Sequence, residues 1–260
     1  MLRTIRLLIT FDGTRYHGWQ RQHNGITVQG VLEEQLGHLC KKNITLHGAG
    51  RTDAGVHAMG MVAHFHLGAS IPLKAFTDGL NSMLPQDIRI LEAREEKPEF
   101  HSRFSALGKT YRYDFYTGPL QQPTTRLYAA HFPGFFDSSR LTEALQLITG
   151  THDFSSFERV GSRNRELQTG RGAVRTIYKA TCSSHPHQAD HWSIQITGDG
   201  FLRQMVRILA GTLIEIGMGK RSPASVQTAL VAGDRTKAGM TAPAHGLFLE
   251  KIYYQQLFHS

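Results

Sequence analysis

Cysteine is nearly absent: the 260 residues contain only Cys40 and Cys182, and no pairwise motif links them. That excludes a disulfide framework and any cysteine-rich zinc site, and makes a reducing cytoplasm the expected compartment. Long hydrophobic runs are also missing. The opening stretch from Met1 to Asp12 is too short in its apolar run for a signal peptide, and nothing approaches the length of a membrane span. Acid is scarce relative to base, with 21 Asp and Glu against 29 Lys and Arg, a formal charge of +8 and a pI near 9.7. Such an excess suits a polyanionic partner, although a merely solvated basic surface accounts for it equally well. Low-complexity segments and residue-level repeats do not occur. What is present is ordinary for a soluble globular protein, 40% apolar and 19% charged residues, in a chain long enough for one large domain or two small ones.

Patterning supplies the elements. Ile5, Leu7, Ile9 and Phe11 alternate as in a half-buried strand, and Asp12-Gly13-Thr14 marks a turn. Thr27 is placed to cap a helix with the apolar face Val28, Val31, Leu32, Leu36 and Leu39. Strands are expected at 44–46, 62–67, 88–91, 173–183, 191–197 and 247–254, with a further one inside 104–117. Helices are expected from Pro72 toward Met83, at 139–149, at about 201–216 and from Ser222-Pro223 onward. No parallel βαβ series emerges, so the class is α+β in two similar halves. The Pro-, Gly- and Thr-rich segment 118–137 is expected to join residues 1–117 to residues 138–260. Residues 158–171, with Arg159, Arg163, Arg165 and Arg171, form the least orderly stretch.

The sharpest feature is Gly48-Ala-Gly-Arg-Thr-Asp-Ala-Gly-Val-His57. Asp53 is the only acidic residue between Glu34 and Asp78, and it stands among glycines and beside Arg51. A dinucleotide fingerprint is excluded, because Asp53 occupies the third glycine position and no ribose-binding acid follows. By itself, an aspartate in such a loop reads first as a cap of the next turn. The helix at 201–216 is apolar around most of its circumference, yet it carries Arg207. A guanidinium there calls for a carboxylate, a carbonyl or a path to solvent. His57, His64 and His66 alternate in a strand, and His185, His187 and His191 lie in a Pro- and Gln-bearing loop without an acidic ligand pattern, so no metal is expected.

Gly50-Arg-Thr-Asp-Ala-Gly-Val-His-Ala58 resembles the central signature of the TruA family of pseudouridine synthases. The segments Phe11–Gln22, Thr27–Glu33, Leu80–Pro85, Phe100–Phe104, Lys109–Tyr113, His152–Phe157, Gly200–Arg207 and Gly246–Leu249 are similar to further family motifs in the same order. Departures are the 158–171 stretch and Gly198-Asp-Gly200, where relatives often carry alanine or asparagine. The resemblance implies a pseudouridine synthase fold. In that fold two RRM-like, or ferredoxin-like, halves share a large, mostly antiparallel sheet with a central cleft. It implies isomerisation of uridine to pseudouridine at positions 38, 39 and 40 of the tRNA anticodon stem-loop, without cofactor, by a homodimer. A paralogue acting on another RNA such as rRNA would share the same catalytic set, whereas a catalytically silent RNA-binding protein would not need it. By the same resemblance Asp53 is the catalytic carboxylate, Arg207 its charge partner, and Tyr111 the platform for the extruded base. Arg51 fills or braces the vacated position. Arg15, Arg21, Lys109 and Arg112 are candidate phosphate contacts, each weak alone because any exposed cation qualifies.

Overall fold

A computed structural model describes residues 2–162, 171–186 and 188–255. Arg163, Arg165 and His187 lie outside these residues. The chain divides into two compact units, Met1–Leu107 with Phe248–Ser260, and Gly108–Leu247. The segment 118–137 thus lies within the second unit.

The first unit contains β1 (Arg3–Phe11), α1 (Val28–Cys40), β2 (His47–Gly48), β3 (His57–Leu67), α2 (Asp78–Met83) and β4 (Ile88–Glu96). The alternation of β1 does what its pattern predicts: Ile5, Leu7 and Ile9 are fully buried. β1 pairs antiparallel with β3 and with β4. Thr27 caps α1 by accepting the Gly30 N–H at 3.2 Å, and Val28, Leu32 and Leu36 turn inward. Lys41 closes the helix in the left-handed conformation, its N–H donating to the Gly37 carbonyl.

Three expectations change here. The apolar run 44–46 forms no strand, because only His47 and Gly48 find partners, at His64 and Ala63. The helix expected from Pro72 is instead a 3-10 turn, Leu73–Phe76, followed by α2, with the backbone bent at Thr77. The strands at 62–67 and 88–91 extend to eleven and nine residues.

The second unit runs through β5 (Gly108–Tyr116), β6 (Ala130–His131), α3 (Leu141–Ile148), β7 (Gly150–Asp153), β8 (Val174–His185), β9 (Gln188–Gly198), α4 (Met205–Gly217) and α5 (Ser225–Ala232). Its strands lie in the order β5-β9-β8-β7, all antiparallel, with the short β6 parallel to β5. Gly150 opens β7 at φ +108 and does not merely end α3. α4 begins four residues later than its apolar pattern suggests, since Gln204 holds φ +62. A final strand, β10 (Leu247–Tyr253), returns to the first unit, where Phe248 and Leu249 pair parallel with His57 and Ala58. Both units mix helices with mostly antiparallel strands, the α+β class the sequence implies.

Candidate active site

Asp53 sits in the irregular segment between β2 and β3, partly exposed, with buried Thr52 on one side and Val56 two residues beyond Ala54. The loop is built by two sequence motifs together. Its backbone is tied to the Phe11–Gln22 segment: the Trp19 N–H donates to the Thr52 carbonyl at 3.3 Å and the Gly55 N–H to the Tyr16 carbonyl at 3.3 Å. Within the loop, the Val56 N–H closes a turn on the Asp53 carbonyl at 3.2 Å.

Glycine is required on both sides of this seam. Gly18 has φ +87, and a Cβ there would overlap the Thr52 carbonyl. A Cβ on Gly48 would overlap the buried Trp19 indole, and one on Gly13 would overlap the Val56 carbonyl. Gly13, Gly18 and Gly48 therefore serve close approach between the Asp53 loop and the protein's own opening segment, while Gly55 takes φ +75.

The end of the motif is anchored as well. His57 is buried and stacks on Phe248 with ring centroids 4.7 Å apart. Its Nδ1 lies 3.0 Å from the Gly13 N and 3.1 Å from Asp12 Oδ1. Asp12 Oδ1 also accepts the Thr14 N–H and hydroxyl. The motif is thereby fixed at Thr52, Gly55 and His57, on both sides of Asp53.

Arg51 is exposed, and its Nε donates to Gln20 Oε1 at 3.1 Å. Arg15 and Arg21 belong to the same unit. The Arg15 guanidinium is 74% exposed and holds Asp87 through Nε and Nη2 at 3.1 and 2.7 Å. Arg21 is 71% exposed and pairs with Glu33 at 3.3 Å. Each keeps a solvent-facing cation while already engaged with a carboxylate, so a phosphate would compete with that partner.

The other predicted residues lie in the second unit. Tyr111, on β5, is buried and meets the Phe201 ring edge-on, centroids 5.1 Å apart at 83°. Tyr113 is fully buried and donates its hydroxyl to the Pro243 carbonyl at 3.0 Å. Burial pushes its phenol well above the usual range, opposed by the charge of Arg207. Lys109 is half-buried and sits opposite Gly198 on β9. Arg112 is tied to Asp114 at 3.0 Å, and Asp114 also accepts the Ser193 hydroxyl at 2.6 Å. Burial raises the Asp114 carboxyl, with Ser193 and Arg112 acting against the rise.

Arg207 lies half-buried within α4. Its Nε donates to the Ala242 carbonyl at 2.8 Å, and the Ala242 N–H donates to the Arg207 carbonyl at 3.1 Å. A carbonyl thus meets the Nε edge of the guanidinium, one of the alternatives open to it from sequence. On either side of residues 163–170, the Ser162 hydroxyl donates to buried Glu158 at 2.7 Å, and Arg171 pairs with Asp199. Among the described residues no group of three or more His, Cys, Asp or Glu is placed to hold a metal ion. Among the described residues no helix is long and apolar enough to cross a membrane.

Sequence reasoning did not find the roles of Trp19, Gly18, Asp12 and Phe201. The aromatic Tyr16-His-Gly-Trp19 run was a signal for the first two, but nothing local says that it packs on residues more than thirty positions away.

A family model described as tRNA pseudouridine synthase matches residues 7–105 and 144–255. The chain is 50% identical over 253 residues to tRNA pseudouridine synthase A 1 of Desulfotalea psychrophila, covering 97% of this chain and 100% of that protein. It is 42% identical to tRNA pseudouridine synthase A of Geobacter sulfurreducens, over 97% of this chain and 100% of that protein. It is 42% identical to tRNA pseudouridine synthase A 2 of Clostridium tetani, over 98% of this chain and 100% of that one.

Proposed function

The chain belongs to the tRNA pseudouridine synthase family, and from that premise we propose that Asp53 is the carboxylate with which it isomerises uridine to pseudouridine in tRNA. The reaction breaks the N1–C1′ bond, turns the uracil and joins C5 to C1′. The C5 proton is lost and N1 gains one, so the product is an isomer of the substrate. An ionised carboxylate can add to an electrophilic carbon or take the C2′ proton. The substrate uridines are those at positions 38, 39 and 40 of the anticodon stem-loop.

In this reading Tyr111 supplies a face on which the extruded uracil stacks, a contact worth about 1–3 kcal/mol. Extrusion costs a few kcal/mol, and Arg51 offsets part of that cost by bracing the vacated position. Arg207 keeps Asp53 ionised, while Lys109, Arg112, Arg15 and Arg21 contact phosphates. The active enzyme is a homodimer in the cytoplasm and uses neither metal nor cofactor.

The observation that carries the reading is the construction of the Asp53 loop. Its backbone is clamped by the Tyr16–Trp19 segment and by His57, while the Asp53 side chain remains partly accessible. Preorganisation of that kind is what a reacting carboxylate needs and a turn cap does not. The test is incubation of unmodified tRNA with purified protein, followed by position-resolved detection of pseudouridine. Wild-type protein should modify the anticodon stem-loop, and Asp53→Ala should abolish turnover while tRNA binding stays within a few fold. Turnover by Asp53→Ala would remove Asp53 from its role, and modification confined to another RNA would overturn the target.

A further inference from the structure

We infer that Gln29 and Gln20 form a hydrogen-bond relay of fixed polarity that positions the Arg51 guanidinium beside Asp53. Both glutamines are then positioning residues for the isomerisation, a role that rests on the reading of Arg51 given above.

The relay begins inside the first unit. Gln29, the second residue of α1, is buried. Its Oε1 accepts the Arg21 N–H at 2.9 Å, and its Nε2 donates to the Leu46 carbonyl at 2.9 Å and to Glu33 Oε1 at 3.1 Å. A backbone N–H can only donate, and a carbonyl or carboxylate can only accept. Turning the Gln29 amide over would set N–H against N–H and oxygen against oxygen at a buried position. One orientation alone is therefore compatible with its surroundings. Glu33 is fixed in turn, since Oε1 also accepts the Leu46 N–H at 3.0 Å and Oε2 holds Arg21.

That orientation dictates the next. Gln29 Oε1 accepts a second hydrogen bond, from Gln20 Nε2 at 2.7 Å. Gln20 must offer its nitrogen here, so its oxygen is the atom left for Arg51, and the Arg51 Nε–H donates to it at 3.1 Å. The exposed contact would hold little alone. Anchored through an amide whose four hydrogen-bonding valences are all used in the protein interior, it gives a long surface side chain one preferred direction. The terminal Nη groups of Arg51 remain for the RNA. Gln20, Gln29 and Arg51 come from the Trp19–Gln22, Thr27–Gly30 and Gly50–Asp53 segments, three stretches that are separate in sequence.

The test is a double-mutant cycle on purified protein with tRNA as substrate. Gln20 is exposed, so Gln20→Ala should fold normally. It should lower kcat about tenfold, as expected for losing one charge-assisted hydrogen bond that orients a guanidinium, with KM for tRNA unchanged within about twofold. In the Arg51→Ala background the same substitution should have no further effect, because Gln20 acts only through Arg51. Wild-type kcat in Gln20→Ala, or effects that add to those of Arg51→Ala, would overturn the relay. A second readout keeps it separate from the reading of Arg51 itself. The Arg51 Nε–H resonance of nitrogen-15-labelled free protein, identified by its loss in Arg51→Ala, should be protected in wild type and exchange rapidly in Gln20→Ala. Wild-type turnover by Arg51→Ala would end the bracing role, and the resonance would still judge the relay, with unchanged protection in Gln20→Ala refuting it.

Discussion

Acidification should destabilise this protein through one buried imidazole. His64 lies on β3, 1% exposed, with Nδ1 accepting the Ser102 N–H at 3.1 Å. The Ser102 hydroxyl donates to the His47 carbonyl at 2.6 Å, which places the serine beside the ring from the facing segment. The rings of His47, His66 and His101 stand 5.1, 5.4 and 4.7 Å from it, and Arg103 adds positive charge near His101.

Burial, followed by repulsion from His101, His47 and His66, pushes the His64 pKa down from 6.5 to about 4. The depressed value belongs to the folded state, so the unfolded chain binds the proton first. The stability contributed by neutral His64 is complete above the unfolded pKa and is lost as the pH falls from about 6.5 toward 4. With those two values, lowering the pH from about 7.5 to about 5 removes about 2 kcal/mol from the free energy of unfolding. His101, also pushed down by burial, adds in the same direction.

Urea unfolding at the two pH values measures the loss, and His64→Asn isolates its source, because the amide oxygen can accept from Ser102 without titrating. The variant should show a pH dependence smaller by about 2 kcal/mol. An identical dependence in wild type and His64→Asn would refute the assignment to this ring.

Two further predictions concern the loop and the charge. Gly18→Ala must adopt φ +87 and meets the Thr52 carbonyl, so it should cost about 2 kcal/mol or more in thermal or urea unfolding and lower turnover with it. Wild-type stability would mean that the Gly18 and Thr52 backbones are not in contact in solution. Affinity for tRNA should fall steeply with added salt, because counterions released from neutralised phosphates gain less free energy in a more concentrated salt solution. A filter-binding titration giving a flat response would show that the net charge of +8 is not used on the RNA backbone.

Local pattern carried some elements intact. The period of two from Ile5 to Phe11 became β1, and Thr27 capped α1 because its hydroxyl and the Gly30 N–H are neighbours along the chain. Pattern failed where a partner or a bend decides. Residues 44–46 look like a strand but only His47 and Gly48 reach β3. The apolar run beginning at Phe201 looks helical, yet α4 waits until Met205 because Gln204 takes the left-handed conformation.

The site divides along the same line. The proposed site residues Asp53, Arg51, Tyr111 and Arg207 are named from contiguous motifs, in which short-range order is visible. The support beneath them was not legible. Trp19 reaches Gly48 and Thr52, Asp12 meets His57, Gln20 holds Arg51, and the Ala242 carbonyl meets Arg207 only after the chain has folded back on itself. The sequence by itself determined the family and the period of most elements, both of which reside in short-range order. Tertiary structure alone decided which backbone groups clamp the Asp53 loop and which carbonyl receives Arg207. Those contacts join residues tens of positions apart, and their geometry is set by packing, to which local periodicity is blind.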